Sequence, residues 1–171
     1  MDSQKNNPVV VLNSRFYKEM QSVDSLINKY TTSDSTPIIS NLANHLISAG
    51  GKRLRPLLTL AAADLCNYCG QAHIKLAAAI EFIHSATLLH DDVVDESEKR
   101  RGKPTANSLW NNQSSVLVGD YLFSKSFQLM VETGSLDVLS ILADASATIS
   151  EGEILQLGSV RNLKTTEDVY F

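Results

Sequence analysis

Cysteine and proline are scarce in this sequence. The two cysteines, Cys66 and Cys69, form a single C-x2-C pair, and His73 follows four residues after the second. A structural zinc site needs four ligands, and no second ligand pair accompanies these residues, so two reduced thiols at a helix end are the preferred interpretation. The four prolines leave the long apolar-periodic stretches uninterrupted, which favours helices.

The sequence also lacks a long apolar run, a signal peptide and an excess of positive charge. No run approaches the roughly 18 to 20 apolar residues of a membrane span, and residues 1–10 contain no basic segment followed by an apolar one. The net charge of −4 over 171 residues disfavours nucleic acid and anionic membranes as partners. We therefore expect a cytoplasmic protein with enough chain for one domain core.

Helical periodicity dominates the apolar pattern, and strand-like alternation is nearly absent. Val9, Leu12, Phe16 and Met20 begin a series that predicts a first helix over residues 9–30. Further helices are predicted over residues 37–48, 55–66, 71–95, 113–132 and 136–157, and one more begins near Thr165. Residues 98–112 are predicted to be a polar loop. The fold class is therefore all-α.

Three aspartates lie at the end of the longest predicted helix. At 100° per residue, Asp91 and Asp95 fall within about 20° of His84 around the axis, whereas Asp92 lies about 80° away, at the edge of that face. Two carboxylates one turn apart repel each other, and Mg²⁺ is usually held by one or two carboxylates with substrate phosphates and water. The pattern predicts a Mg²⁺ site at Asp91 and Asp95; the alternative is a solvated acidic helix end.

Basic residues are concentrated in two segments, GGKRLRP at 50–56 and KRRGKP at 99–104. The first offers Lys52, Arg53 and Arg55 near a helix start, where free N–H groups favour anions. The second offers Arg100 and Arg101, and arginine binds phosphate oxygens bidentately. Each segment alone has an ordinary explanation, as a helix end or a solvated basic run. Together with the carboxylates they predict a phosphorylated substrate bridged by Mg²⁺.

Four segments follow one another in a recognisable order: GGKRLRP, FIHSATLLHDDVVDESEKRRGKPTAN, VLVGDYLFSKSF and EGEILQL. Residues from about 42 to 171 resemble the N-terminal half of the trans-prenyl diphosphate synthases, and DDVVD resembles their first aspartate-rich motif, DDxxD. The resemblance is greatest to the long-chain, octaprenyl-type bacterial enzymes. It implies an isoprenoid synthase-type helical bundle. It also implies Mg²⁺-dependent condensation of isopentenyl diphosphate with an allylic prenyl diphosphate, for quinone side chains.

The resemblance implies a role for each motif residue. Asp91 and Asp95 would bind Mg²⁺, with Asp92 in support, and Arg100 would contact the allylic diphosphate. The residues that would hold the diphosphate of isopentenyl diphosphate are Lys52, Arg55, His84 and Arg101. Gln156, in EGEILQL, would line the site from the opposite side.

Product length and partners also follow from the resemblance. Ala86 and Thr87, five and four positions before Asp91, are small where short-chain members tend to carry aromatic residues, which implies a long product. Family members are generally homodimers, so the segment from Leu117 to Phe127 is expected near an interface or, alternatively, in the core. A lipid product would also allow peripheral membrane contact.

The family's second aspartate-rich motif has no counterpart among the acidic residues after Asp95. The sequence ends at Phe171, just after a helix is predicted to begin, and a single helical turn is marginal on its own. We expect residues 1–171 to form one all-α unit, with an N-terminal helix and loop over 1–35 and core helices over 36–171. Its turnover would then require a C-terminal half or a partner subunit.

Three other interpretations compete with this one. In an HD-type metal phosphohydrolase, His90 and Asp91 would be the metal-binding dyad, and His45, His73 or His84 would be a further ligand. This interpretation leaves both basic motifs unexplained. A non-catalytic subunit is favoured by the missing second motif and disfavoured by the retained carboxylates and arginines. Nucleic-acid binding through KRRGKP lacks interleaved aromatic residues.

Overall fold

The computed structural model describes residues 7–48, 51–160, 162 and 165–167. The chain divides into two compact units, Met1–Gly134 and Ser135–Phe171. The single unit expected over residues 1–171 stays a prediction.

The first unit contains seven helices and one small hairpin among its described residues. The helices are α1 Pro8–Arg15, α2 Tyr17–Thr31, α3 Pro37–Ser48, α4 Leu54–Leu65, α5 Ala72–Val94, α6 Ala106–Leu109 and α7 Asn112–Val131. The antiparallel strands are β1 Lys99–Arg100 and β2 Lys103–Pro104. The all-α class predicted from the sequence is confirmed.

Helix α5 is the centre of the first unit and packs against α7, α4 and α2. Ala77, Ala78 and Ala79 are fully buried on it, and their small side chains let neighbouring helices approach closely. Leu89 and Leu129 complete the packing between α5 and α7, which is the most extensive helix pair. The aspartates therefore lie at the end of the helix that packs most extensively in this unit.

The prediction of one continuous helix over residues 9–30 is wrong at Phe16. This residue leaves the helical conformation, with φ −101° and ψ 24°, and its side chain is buried. The interruption lets α1 pack on α4 while α2 packs mainly on α5. Arg15 reinforces the first of these packing arrangements through a 2.7 Å ion pair with Asp64 of α4.

The segment predicted as a polar loop, residues 98–112, contains the β1–β2 hairpin and the short helix α6. Elements of two to four residues are too short to produce a hydrophobic period, so the sequence pattern did not reveal them. The helix predicted over residues 37–48 is observed as α3, and residues 49 and 50, which follow it, lie outside the described residues.

The second unit contains helix α8, Leu136–Ser159, whose N-terminus is capped by the Ser135 hydroxyl accepting a hydrogen bond from the Val138 amide. None of the residues described in this helix is buried. Most of the final helix predicted near Thr165 falls outside the described residues. Across the described part of the chain, no helix combines the length and apolar character needed to span a membrane.

Candidate active site

The three aspartates at the end of α5 have different environments. Asp91 is half-buried and Asp95, which caps the helix, is exposed. The Asp95 amide donates a 2.8 Å hydrogen bond to the Asp91 carbonyl, so the two residues are one helical turn apart, as predicted. Asp92 faces the interior and is only 2% exposed. The helix therefore presents two carboxylates outward and one inward.

The buried carboxylate of Asp92 binds Arg100. The Nε and Nη2 groups of Arg100 both lie 2.9 Å from Oδ1 of Asp92. A buried carboxylate needs such a partner because its desolvation is costly. The pair fastens strand β1 to the end of α5, and it keeps Arg100 beside the aspartates.

The hairpin itself presents Arg101. Arg101 and Gly102 form its two-residue turn and both have positive φ, 53° and 79°. This is the pattern of a type I′ turn, whose twist matches antiparallel strands. Thr105 anchors the hairpin's far end, because its hydroxyl donates a 2.7 Å hydrogen bond to the Ser97 carbonyl.

The segment between α3 and α4 approaches the hairpin from the other side. An added Cβ at Gly51 would lie 3.3 Å from Nη1 of Arg101, so the arginine passes close over this glycine. Lys52 and Arg55 are exposed on either side of Arg53. The two basic segments, although distant in the sequence, therefore meet in space.

A cleft of about 590 Å³ lies between these segments and α5. Its charged and titratable lining consists of Lys52, Arg53, Arg55, Glu81, His84, Arg100 and Arg101. Five cations against one carboxylate, among the residues described here, make the cleft strongly positive. Leu54 and Leu88 supply part of its apolar wall.

The pKa of His84 depends on the charges in this cleft. Burial lowers the pKa of its imidazole, and the positive charges of Arg55, Arg100 and Arg101 lower it further, while Glu81 opposes them. An imidazole that is surrounded by arginines is neutral at pH 7, and an anion placed among them would be attracted. The cleft is therefore suited to a polyvalent anion such as a diphosphate.

The outward carboxylates fit a hard divalent cation that is completed by other ligands. Within the described residues, no group of three or more His, Cys, Asp and Glu side chains could hold a metal ion. Asp91 and Asp95 alone supply carboxylate oxygens one turn apart, which suits Mg²⁺ when substrate phosphates and water fill its remaining positions. The donor set does not resemble a closed protein cage.

The histidines do not assemble around Asp91 as an HD-type metal site requires. Nε2 of His90 lies 3.2 Å from the Val116 carbonyl and 3.4 Å from Asp120, on the α7 side. Nε2 of His45 lies 2.8 Å from the Pro104 carbonyl, and the His73 ring packs on Tyr68. These contacts favour structural roles.

Comparison with known proteins decides the family. The model of the family described as polyprenyl synthetase matches residues 36–171. The chain belongs to the polyprenyl synthetase family. This confirms the resemblance that the motifs carry, and it overturns the HD-type interpretation.

Relatives of this chain include synthases named for long-chain products, and one, 37% identical, is named short chain isoprenyl diphosphate synthase. Octaprenyl diphosphate synthase of Escherichia coli (strain K12) is 46% identical over 159 residues, which cover 93% of this chain and 49% of the relative. An all-trans-nonaprenyl-diphosphate synthase of Rhodobacter capsulatus is 44% identical over 90% of this chain and 47% of its own length. The chain thus spans about half the length of the curated relatives it matches.

Solved structures confirm the isoprenoid synthase-type fold. A decaprenyl diphosphate synthase from Rhodobacter capsulatus superposes with a TM-score of 0.92 at 60% identity, covering 95% of this chain and 50% of that one. A polyprenyl synthase from Caulobacter crescentus CB15, complexed with calcium and isoprenyl diphosphate, has a TM-score of 0.90 at 53% identity, covering 95% and 49%.

The structure brings together most of the polyprenyl synthetase residues singled out from the sequence. Lys52, Arg55, His84, Arg100 and Arg101 line one cleft. The chain-length candidates differ: Ala86 is 1% exposed, whereas Thr87 is half-buried and its hydroxyl donates a hydrogen bond to the His84 carbonyl. Gln156 is exposed on α8 in the second unit.

Two groups of residues at the site were missed by sequence reasoning. Glu81 lines the cleft and pairs with Arg53 at 2.6 Å. Its position one turn before His84 was a usable signal. Thr105 and Asn107 hold the hairpin, and the Asn107 amide donates a 3.2 Å hydrogen bond to the Asp92 carbonyl. These links depend on the fold and have no periodic signature.

Proposed function

We propose that this chain contributes the diphosphate-binding half of a prenyltransferase. The enzyme condenses isopentenyl diphosphate with an allylic prenyl diphosphate, and its product is a long-chain, octaprenyl-like polyprenyl diphosphate for quinone side chains. The observation that carries the proposal is one cleft with five cations, adjacent to the end of a helix with two outward carboxylates. The names of the long-chain relatives support the product class.

The cleft suits the diphosphate of isopentenyl diphosphate. Lys52, Arg55, His84 and Arg101 are the residues proposed to hold it. Arginine provides paired N–H donors for phosphate oxygens, and lysine adds a point charge. Half-burial of His84 reduces competition from water and strengthens these contacts.

The allylic diphosphate would bind next to the aspartates. Asp91 and Asp95 would hold Mg²⁺, which when bound neutralises negative charge on the diphosphate as a Lewis acid. Arg100 would add positive charge to the same leaving group. Asp92 would support the site indirectly, because its carboxylate fixes the Arg100 guanidinium.

The reaction needs these charges at its first step. The allylic C–O bond breaks, diphosphate leaves with the electron pair, and an allylic cation remains. The double bond of isopentenyl diphosphate attacks this cation to form the new C–C bond. The cation that results loses a proton from the adjacent carbon to the released diphosphate. Arg100 stabilises the charge that develops on the leaving diphosphate, and an apolar wall such as Leu88 keeps water from the cation. The role in substrate binding that the family resemblance implies for Gln156 stays a prediction.

Ala86 and Thr87 are proposed to leave room for a long product. Replacing Thr87 with Phe would then shorten the product, since this half-buried position can take bulk at less packing cost than the buried Ala86. The proposed enzyme is a cytoplasmic homodimer that meets the membrane through its lipid product. On α7, Leu122 belongs to the core, while Leu117 and Phe127 are exposed at 67% and 39% and are available to an interface.

A second candidate is a subunit that shares its site with another polypeptide. One relative, 37% identical over 81% of this chain, is named heptaprenyl diphosphate synthase component 2, from Geobacillus stearothermophilus. The match covers 43% of that relative's own length.

Calorimetric titration of this 171-residue chain with isopentenyl diphosphate tests the proposal. Arg55→Gln should weaken binding about tenfold or more, the value of one charge-assisted contact. Arg15→Gln is the matched control, because it removes an arginine that pairs with the other end of α4. Equal affinities for the two variants would contradict the proposed site.

The metal site is tested with farnesyl diphosphate. Its binding should depend on Mg²⁺ in the wild-type chain and lose that dependence in Asp91→Asn. Incorporation of radiolabelled isopentenyl diphosphate into lipid then separates the two candidates. Turnover by the isolated chain would favour a self-sufficient enzyme, and binding without turnover would favour a chain completed by a partner.

A further inference from the structure

Glu81 is the single acidic side chain lining the positive cleft, among the residues that the structure describes there. Its side chain is 12% exposed, and it lies three residues before His84 on α5. Its carboxylate lines the same cleft as His84, Arg55 and Arg101, and it opposes the arginines in setting the pKa of His84. A carboxylate in this position repels an incoming diphosphate and competes with it for the same cations.

Arg53 is the residue that engages this carboxylate. Its Nη1 lies 2.6 Å from Oε1 of Glu81, and its Nε lies 3.8 Å from Oδ1 of Asp24 on α2. Its side chain is 21% exposed, whereas its neighbours Lys52 and Arg55 are exposed. The middle cation of the GGKRLRP segment therefore points at protein carboxylates while the outer two are available to a ligand.

The backbone at Arg53 is adapted to this arrangement. Arg53 has φ 48° and ψ 38°, a left-handed conformation that residues other than glycine rarely adopt. It is the residue that precedes the first turn of α4, so this conformation sets the directions of Lys52 and Arg55 on either side. Such conformations persist where surrounding contacts hold them, and the Glu81 ion pair is such a contact.

We propose that Arg53 is a positioning residue that masks the charge of Glu81, so that Lys52, Arg55 and Arg101 are available to the substrate's diphosphate. Without Arg53, the Glu81 carboxylate turns toward the remaining cations and acts as an internal competitor. The inference rests on the proposed function of the cleft. It assigns Arg53 a role separate from direct substrate contact.

The test uses inorganic pyrophosphate as the probe, without metal, and the full 171-residue chain. Arg53→Gln should weaken pyrophosphate binding about tenfold, the size of one charge-assisted contact. Glu81→Gln should bind as well as wild type or better, since it removes the competing charge. The double variant Arg53→Gln/Glu81→Gln should recover the affinity lost in Arg53→Gln. Arg53→Lys should bind pyrophosphate with an affinity between those of the wild type and Arg53→Gln.

A purely structural ion pair gives the opposite pattern. Glu81→Gln would then weaken binding as much as Arg53→Gln, and the double variant would be no better than either single variant; this result would overturn the inference. Arg15→Gln, which breaks the Arg15–Asp64 pair at the other end of α4, is the matched control and should leave pyrophosphate affinity unchanged. Thermal unfolding shows whether each variant is folded.

The His84 ring provides a readout that needs no ligand. In Arg53→Gln the released Glu81 should raise the pKa of His84, and the double variant should return it to the wild-type value or lower. An unchanged pKa in Arg53→Gln would contradict the inference even if pyrophosphate binds. Failure of the wild-type chain to bind pyrophosphate would instead contradict the proposed function, and the pKa series would then decide the Arg53 inference by itself.

Discussion

His84 lies among charges of both signs, and its protonation follows them. Burial and the charges of Arg55, Arg100 and Arg101 hold the pKa of its imidazole below the ordinary value of about 6.5. The unfolded chain therefore takes up this proton at higher pH than the folded one. The contribution of His84 to stability is complete above about pH 6.5 and is lost as the pH falls toward the lower folded pKa.

We predict that pyrophosphate raises the pKa of His84. An anion among the arginines offsets their charge and favours the imidazolium, so pyrophosphate affinity should increase as the pH falls through the same range. The ring-proton chemical shifts of His84, followed by NMR against pH with and without pyrophosphate, measure this. His73, which packs on Tyr68, is the internal reference and should not respond to the ligand. A His84 pKa that falls or stays constant on ligand addition would count against an anion in this cleft.

Gly119 shows how a single missing side chain permits a contact between two helices. A Cβ at Gly119 would overlap with the His90 ring, which at present reaches the Val116 carbonyl at 3.2 Å. We predict that Gly119→Ala destabilises the protein by about 1–3 kcal/mol through overpacking. Urea unfolding measures the free energy of unfolding of each variant. The loss caused by Gly119→Ala should be smaller when His90 is also replaced by alanine.

Gly152 is the matched control for that substitution. It lies within α8, and an added Cβ there meets no atom of the described residues within 4 Å. Gly152→Ala should therefore stabilise its helix, by about 0.5–1 kcal/mol, because alanine loses less backbone freedom on folding. If both substitutions changed stability in the same direction, the packing of Gly119 against His90 would not explain the effect of Gly119→Ala.

At the scale of elements, the β1–β2 hairpin depends on Thr105. This residue is 2% exposed, and its hydroxyl lies 2.7 Å from the Ser97 carbonyl and 2.8 Å from the Ser108 hydroxyl. Thr105→Val keeps the shape but removes the shorter of the two hydrogen bonds to the Ser97 carbonyl, whose other donor is the Asn107 amide at 3.4 Å. We therefore predict a loss of about 0.5–1.5 kcal/mol in stability. Because the hairpin carries Arg100 and Arg101, pyrophosphate affinity should fall as well.

Thr148→Val is the corresponding control on α8. The Thr148 hydroxyl donates to the Asp144 carbonyl of its own exposed helix, so its loss should change stability by no more than about 0.5 kcal/mol. Urea unfolding and pyrophosphate titration of both variants measure the contrast. Equal affinities for Thr105→Val and the wild type would show that the hairpin holds its arginines without this anchor.

At the scale of the whole molecule, stability is unevenly distributed. Helix α5 contains Ala77, Ala78, Ala79 and Leu89, all completely buried, whereas α8 has no buried residue among those described. Local opening requires little free energy where few apolar contacts are lost. We predict that amides of α5 exchange slowest and that those of α8 exchange much faster, as measured by hydrogen–deuterium exchange of the 171-residue chain. Equal protection of both helices would mean that α8 is covered in solution.

The exposed apolar residues of α8 lead to a related expectation for the assembled enzyme. Leu136, Ile141 and Ile154 are 81%, 67% and 70% exposed. Large apolar side chains exposed together mark surfaces that bind other protein. If a further polypeptide completes the site, as proposed, its addition should slow exchange in α8 more than in α5.

The sequence by itself determined where most helices lie and how the aspartates are spaced. Apolar periodicity and helix ends are local properties, so the bounds of α3, α5 and α7 agree with expectation to within a few residues. The one-turn spacing of Asp91 and Asp95 is a property of the helix alone. The ordered motifs also sufficed to identify the family.

Only the tertiary structure decided which charges meet. Arg53 pairs with Glu81, 28 residues away, and Arg100 turns to the buried Asp92 rather than to open solvent. The break at Phe16 and the hairpin after α5 likewise depend on packing partners from other elements. Periodicity describes one segment at a time, whereas an ion pair requires two segments to be placed in register by the core between them.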